Sequence, residues 1–129
     1  MWEEIGEYII KNNELPLNIV EIGIGRYYDI SDYLSQKEDV TVKKIDINPS
    51  REDIIQDDIS QPNMRIYENS DIIYSIRPPY EIQAYLINLA EKLNCELIIK
   101  PLTGETLHSS CSVMKLKNYK KISFYTNKI

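Results

Sequence analysis

Leu17-Asn18-Ile19-Val20-Glu21-Ile22-Gly23-Ile24-Gly25, continued to Asp46, is the stretch on which the fold turns. Ile19 to Ile22 is a short, mainly apolar run. Gly23 and Gly25 break it, and Tyr27, Ile30 and Leu34 then recur at helical spacing, so the order is strand, tight turn, helix. A second strand, Val40-Thr41-Val42-Lys43-Lys44-Ile45, ends at Asp46, about 20 residues past the turn, where an acid can accept hydrogen bonds from both hydroxyls of a ribose. Glycines suit such a turn because a side chain there would keep the backbone away from a bulky ligand. The amides at a helix start also attract polar or anionic groups. A nucleotide-like ligand fits both features.

The whole chain of 129 residues is long enough for one domain with a substantial core. Its 43% hydrophobic and 27% charged content is ordinary for a soluble protein. No apolar run approaches the roughly 20 residues that a bilayer span requires, and the acidic opening Trp2-Glu3-Glu4 does not read as a signal peptide. Cys95 and Cys111 show no pairing motif, which suits reduced thiols and a cytoplasmic location. His108 and Cys111 have a spacing found in metal sites, but two ligands do not close a tetrahedral shell, so no metal is expected. The net charge of −5 argues against broad nucleic-acid binding, although residues 106 to 129 carry +5 and residues 1 to 105 carry −10.

Taken in order, Trp2, Ile5 and Ile9 share one face of a first helix, which Asn12-Asn13 closes. Leu15 to Ile22 reads as a central strand covered on both faces. Pro49 interrupts the chain after Asp46, and Asp53 to Asp58 reads as a short third strand. Only Ile59 to Ser70 remain before the fourth strand, Asp71 to Ile76, so a single helical turn is expected there. Arg77-Pro78-Pro79 stops that strand, with Pro79 in the first turn of a helix that carries Ile82, Leu86, Leu89 and Leu93 on one stripe. Asn94 closes the helix in a left-handed conformation, and Cys95 to Ile99 is a fifth strand ended by Pro101. Alternation from Val113 to Lys117 and from Lys120 to Tyr125, around Asn118-Tyr119, predicts a terminal antiparallel hairpin. The expected class is α/β: a three-layer, doubly wound, mostly parallel Rossmann-like sheet with that hairpin, in a single domain.

With these residues in hand, the chain resembles the class I S-adenosylmethionine-dependent methyltransferases over about residues 17 to 101. Within that class it is most similar to an uncharacterised family of small methyltransferase-like proteins found in archaea. Val20-Glu21-Ile22-Gly23-Ile24-Gly25 is similar to the acidic-x-Gly-x-Gly turn that lies against the methionine part of the cofactor, which implies that Glu21, Gly23 and Gly25 are cofactor-site residues. By the same resemblance Asp46 grips the ribose, and Asp58 or its neighbour Asp57 meets the adenine amine. Ile76-Arg77-Pro78-Pro79-Tyr80 stands where amino-group methyltransferases carry Asn- or Asp-Pro-Pro-Tyr. Arginine has five donors and no acceptor, so it disfavours amine methylation of bases and suits a carboxylate or phosphate instead. Arg77, Pro78, Pro79 and Tyr80 are therefore read as substrate-orienting. The short fourth-strand link and the missing helix before the hairpin reduce the surface for an acceptor pocket, which a partner subunit could supply.

Each residue also has a plainer reading. Asp57 and Asp58 can be solvated strand-end charges. Pro78-Pro79 can serve only to end a strand and begin a helix, with Arg77 paired to Glu81. Tyr27, Tyr28, Tyr74 and Tyr80 can be ordinary tyrosines with one wet end. Lys115, Lys117, Lys120 and Lys121 are better explained as guards of an exposed sheet edge than as RNA contacts. Gly104 can cover a cofactor or simply make a turn. No residue presents itself as a catalytic base, and methyl transfer can proceed by positioning alone. The functional expectation is an S-adenosyl-L-methionine-binding protein, a small methyltransferase of unknown acceptor. The alternatives are a non-catalytic nucleotide-binding module and an NAD-binding domain, the latter weakened by the absent third glycine.

Overall fold

A computed structural model describes residues 2–102 and 105–128. Its first helix, α1 (Glu3–Lys11), has Glu3 and Glu4 in the first turn and Lys11 in the last, which complements the helix dipole, and it buries Ile5, Tyr8 and Ile9. The side-chain amides of Asn12 and Asn13 donate to the carbonyls of Tyr8 and Ile9, each at 2.8 Å. The expected asparagine closure is thus made by side chains, with Asn12 remaining right-handed at φ −105°.

The helices α2 (Asp29–Ser35), α3 (Met64–Tyr67) and α4 (Tyr80–Leu93) alternate with β1 (Leu17–Ile22), β2 (Val40–Asp46), β3 (Ile55–Gln56), β4 (Ile72–Ile76) and β5 (Glu96–Lys100). A 3-10 turn at Ser109–Cys111 precedes β6 (Lys115–Tyr119) and β7 (Ile122–Thr126). The seven strands lie in the order β3-β2-β1-β4-β5-β7-β6. The first five pair in parallel, and the terminal hairpin adds β7 antiparallel to β5. This is the expected mostly parallel sheet with its antiparallel appendage.

All five residues of β4 are buried, as are all of β1 except Asn18, because helices cover both faces. On one face Ile5, Ile9, Ile30 and Leu34 pack on Ile19, Ile72, Tyr74, Ile98 and Phe124. On the other, Tyr67, Leu86, Leu89 and Ala90 pack on Val20, Ile22, Ile73, Leu97 and Ile99. Alternate residues of one strand therefore feed opposite cores, as the period of two requires.

Several boundaries differ from expectation. β1 begins at Leu17, after Pro16, and β3 keeps only two paired residues, both exposed. Pro79 is the N-cap of α4, with extended ψ of 146°, rather than its first helical residue. The hairpin turns at Lys120-Lys121, with Lys120 at φ +53°, and not at Asn118-Tyr119. Pairing continues through Tyr119 because its ring packs edge-on against Tyr8, with centroids 5.7 Å apart. The crossover before β4 is the single turn of α3, and Asn94 closes α4 at φ +53°, both as expected. No described helix is long and apolar enough to cross a membrane.

Candidate functional site

Every parallel strand ends on the same edge of the sheet, and the strand order reverses between β1 and β4, the place where open α/β sheets leave a crevice. Gly23 and Gly25 leave β1 at φ +73° and +59°, values that only glycine adopts without cost. A Cβ on Gly25 would meet nothing within 4 Å, so the turn opens onto empty space.

Asp46 locks this turn. Its Oδ2 accepts the Gly25 N–H at 2.8 Å and its Oδ1 accepts the Asn48 N–H at 2.9 Å. The amides of Gly23 and Ile24 both donate to the Ile45 carbonyl. The turn therefore offers room more than donors, contrary to the expectation that its amides await an anion. Behind it, the Ser50 hydroxyl donates to the Gly25 carbonyl, and Tyr28 shares a 2.7 Å hydrogen bond with Ser50. Arg51 lies 3.9 Å above the Tyr28 ring and pairs with Asp53 and Asp32.

Two cavities flank Gly23. One, of about 320 Å³, is mostly apolar, with Ile22, Ile45, Ile47, Ile59, Pro79 and Ile82 around the carboxylates of Asp46, Asp57 and Asp58. The other, of about 530 Å³, runs past Gly25, Arg26 and Tyr27 to Ile76, Arg77 and Leu102. Gly23, Asp46, Asp57, Asp58 and Pro79 thus line the apolar cavity and Gly23, Gly25 and Arg77 the larger one, with Gly23 common to both.

The two neighbouring acids differ. Asp57 is half-buried and accepts the Tyr67 hydroxyl at 2.6 Å and the Asn63 amide at 3.3 Å. Burial, with the Asp57 carboxylate alongside, pushes the Tyr67 phenol well above its ordinary value. Asp58 is exposed and only its Oδ1 is engaged, by the hydroxyl and amide of Ser60, which lower its pKa.

Glu21 lines neither cavity; strand alternation turns it to the α1–α2 face of the sheet, the face that Tyr27 and Ile76 of the larger cavity share. It is 1% exposed and accepts the Tyr74 hydroxyl at 2.6 Å. Burial raises its pKa to about 8, against the lowering effects of that hydrogen bond and of Lys44. Pro78 is buried and lines neither cavity, its carbonyl accepting from Gln83, while the exposed Tyr80 stacks on His108 with centroids 4.8 Å apart. His108 Nδ1 accepts the Ser110 amide, and the Cys111 thiol donates to the Gln83 carbonyl. Arg77 stands 5.0 Å over the Trp2 ring rather than beside Glu81. Gly104 falls outside the described residues.

Ile47, Ile59 and Ile82, which complete the apolar cavity, were not signalled by any motif, although Ile47 is 54% exposed directly after the strand-end acid. Trp2 was legible only as a helix-face residue. Its amide donates to the Tyr27 hydroxyl at 2.9 Å, which joins the N-terminal helix to the glycine turn.

Solved structures share this fold. The antibiotic-resistance methyltransferase Kmr superposes with a TM-score of 0.56 at 10% identity, over 98% of this chain and 93% of that one. A SAM-dependent methyltransferase from Aquifex aeolicus gives 0.54 at 9% identity, over 94% of this chain and 86% of that one. The fold is methyltransferase-like. Among sequences, a UPF0146 protein of Methanothermobacter thermautotrophicus is 42% identical over 97% of this chain and 93% of its own length. One from Archaeoglobus fulgidus is 30% identical over 95% and 91%. With residues 2–129 also matching the family model, the chain belongs to the uncharacterised protein family UPF0146.

Proposed function

We propose that the cleft binds S-adenosyl-L-methionine and that the protein is a small methyltransferase. The observation that carries this reading is the direct 2.8 Å bond between the Gly25 amide and Asp46, which ties a residue of an acid-rimmed apolar cavity to one of a larger, arginine-bearing cavity. The donor set fits the cofactor. The apolar cavity suits adenine, with Ile47, Ile59 and Ile82 around the ring and Asp58 accepting from its amine. Asp46 uses one lone pair on each oxygen for its backbone donors, which leaves further acceptor capacity for ribose hydroxyls. The larger cavity beyond Gly23 suits the methionine part. When bound, the cofactor supplies an activated methyl group. Glu21 acts from below, holding the β1–β4 junction through Tyr74 rather than touching the ligand.

The same geometry weighs against a dinucleotide. A pyrophosphate needs unoccupied amides at the turn, and here those of Gly23, Ile24 and Gly25 are taken by Ile45 and Asp46. Calorimetric titration with S-adenosylmethionine, S-adenosylhomocysteine and NAD tests the reading. The first two should bind and NAD should not, and preference for NAD would overturn it. Binding without methyl transfer across a broad acceptor panel would favour the non-catalytic module.

A further inference from the structure

Beside the cleft lies a third recess, of about 400 Å³, between Trp2 and the terminal hairpin. It shares Leu102 with the larger cleft cavity. Its walls are Trp2, Leu116, Ile122 and Tyr125, with Lys100, Lys121 and Glu105 supplying the charge. Trp2 lines the recess, and it meets two residues of the larger cavity, Tyr27 edge-on at 5.3 Å and the Arg77 guanidinium over its ring at 5.0 Å. Trp2 and the terminal hairpin thus share the walls of one recess.

Charge around the cleft is divided. The adenosine-side cavity has three acids and no base among its described lining residues. The two spaces at the other end have Arg26, Arg77, Lys100 and Lys121 against Glu105, in a chain of net charge −5. Lys100 Nζ is held at the wall by the Ser123 carbonyl at 2.6 Å, so Lys121, exposed at the hairpin turn, is the more adaptable cation.

Arg77 adds an independent observation. It adopts φ +51° directly before Pro78, a conformation that glycine would take with less strain. Non-glycine residues held in that region cluster at ligand sites. That conformation holds a guanidinium of the larger cavity over the indole that walls the recess, so that a planar anion there can meet a charge and an aromatic surface together.

We propose that this recess is a second subsite that binds an aromatic anion, its ring against Trp2, Ile122 and Tyr125 and its charge met by Lys121 and Arg77. As the acceptor site it rests on the cofactor reading above; as a binding site it does not.

Trp2 is the chain's single tryptophan, so one indole cross-peak in a proton–nitrogen correlation spectrum of the intact protein reports on the recess. Benzoate and phenyl phosphate should shift that peak saturably, whereas benzamide and inorganic phosphate should not. Lys121→Gln and Arg77→Gly should each weaken benzoate about tenfold, as expected for loss of a charge-assisted contact. Lys121→Gln should leave S-adenosylmethionine affinity unchanged. Equal response to benzamide, or no response to either aromatic anion, overturns the subsite. Titrating S-adenosylhomocysteine into the same sample separates the two ideas. Cofactor binding with no response to the anions removes the subsite alone, and anion binding without cofactor binding removes the cofactor reading alone.

Discussion

On the proposed reading Asp46 has two separable duties, holding the turn and gripping the ribose. Replacing it with alanine removes the acceptor for two backbone amides, which should cost about 1–3 kcal/mol in denaturant unfolding. The same change should lower S-adenosylmethionine affinity by at least about tenfold, or 1.4 kcal/mol. Asp46→Asn keeps one acceptor oxygen and should recover part of the stability but little of the binding. Glu21 makes a pH prediction. Its pKa rises from an ordinary 4.5 to about 8 on folding, chiefly through burial. The folded state therefore holds a proton that the unfolded state releases between those values. The contribution is complete below pH 4.5 and lost as pH climbs through 8. At about 1.4 kcal/mol per unit, the loss is on the order of a few kcal/mol. Melting temperature should fall across that window in the parent protein, and Glu21→Gln, whose amide carries no such proton, should flatten the profile.

Among the elements, α3 is the shortest helix and the one nearest the acid pair. One turn of helix has little stability of its own. Its position depends on the buried Tyr67 ring, the Asn63 cap and the hydroxyl bond to Asp57. Tyr67→Phe keeps the ring and removes the bond, so stability should drop by only about 0.5–1.5 kcal/mol. Because the segment carrying Asp57 and Asp58 is then less well held, cofactor affinity should fall by more than the stability loss would suggest. Calorimetry and denaturant unfolding on the same variant distinguish the two effects. α1 has a different duty. It covers the sheet through Ile5, Tyr8 and Ile9, and it delivers Trp2 to Tyr27 and Arg77.

For the whole molecule, ligand binding and stability are linked by mass action. At a hundredfold excess over its dissociation constant, S-adenosylmethionine should stabilise the fold by about 2.7 kcal/mol. For a chain of this size that corresponds to a rise of roughly 10 °C in melting temperature. At the same ligand concentration, a tenfold weaker Asp46→Ala variant should keep no more than about half the rise, and NAD should produce none in the parent protein. A matching rise with NAD would contradict the proposal that the occupied turn amides exclude a pyrophosphate.

The order of elements was legible because it follows from local chain geometry. The Ile19 to Ile22 run, the glycines after it and the Ile82, Leu86 and Leu89 stripe report periods of two and 3.6 that the backbone imposes within a few residues. The strand-end carboxylate at Asp46 was legible for the same reason. Only the tertiary structure decided that the turn amides are taken by Ile45 and Asp46, that Glu21 is buried against Tyr74, and that Asp57 is tied to Tyr67 while Asp58 is exposed and held by Ser60. It alone brought Trp2, Arg77 and Lys121 around neighbouring spaces. Such contacts join residues far apart in the chain, and they form only when the two helix layers and the hairpin close on the sheet. No pattern within a single stretch of sequence records them.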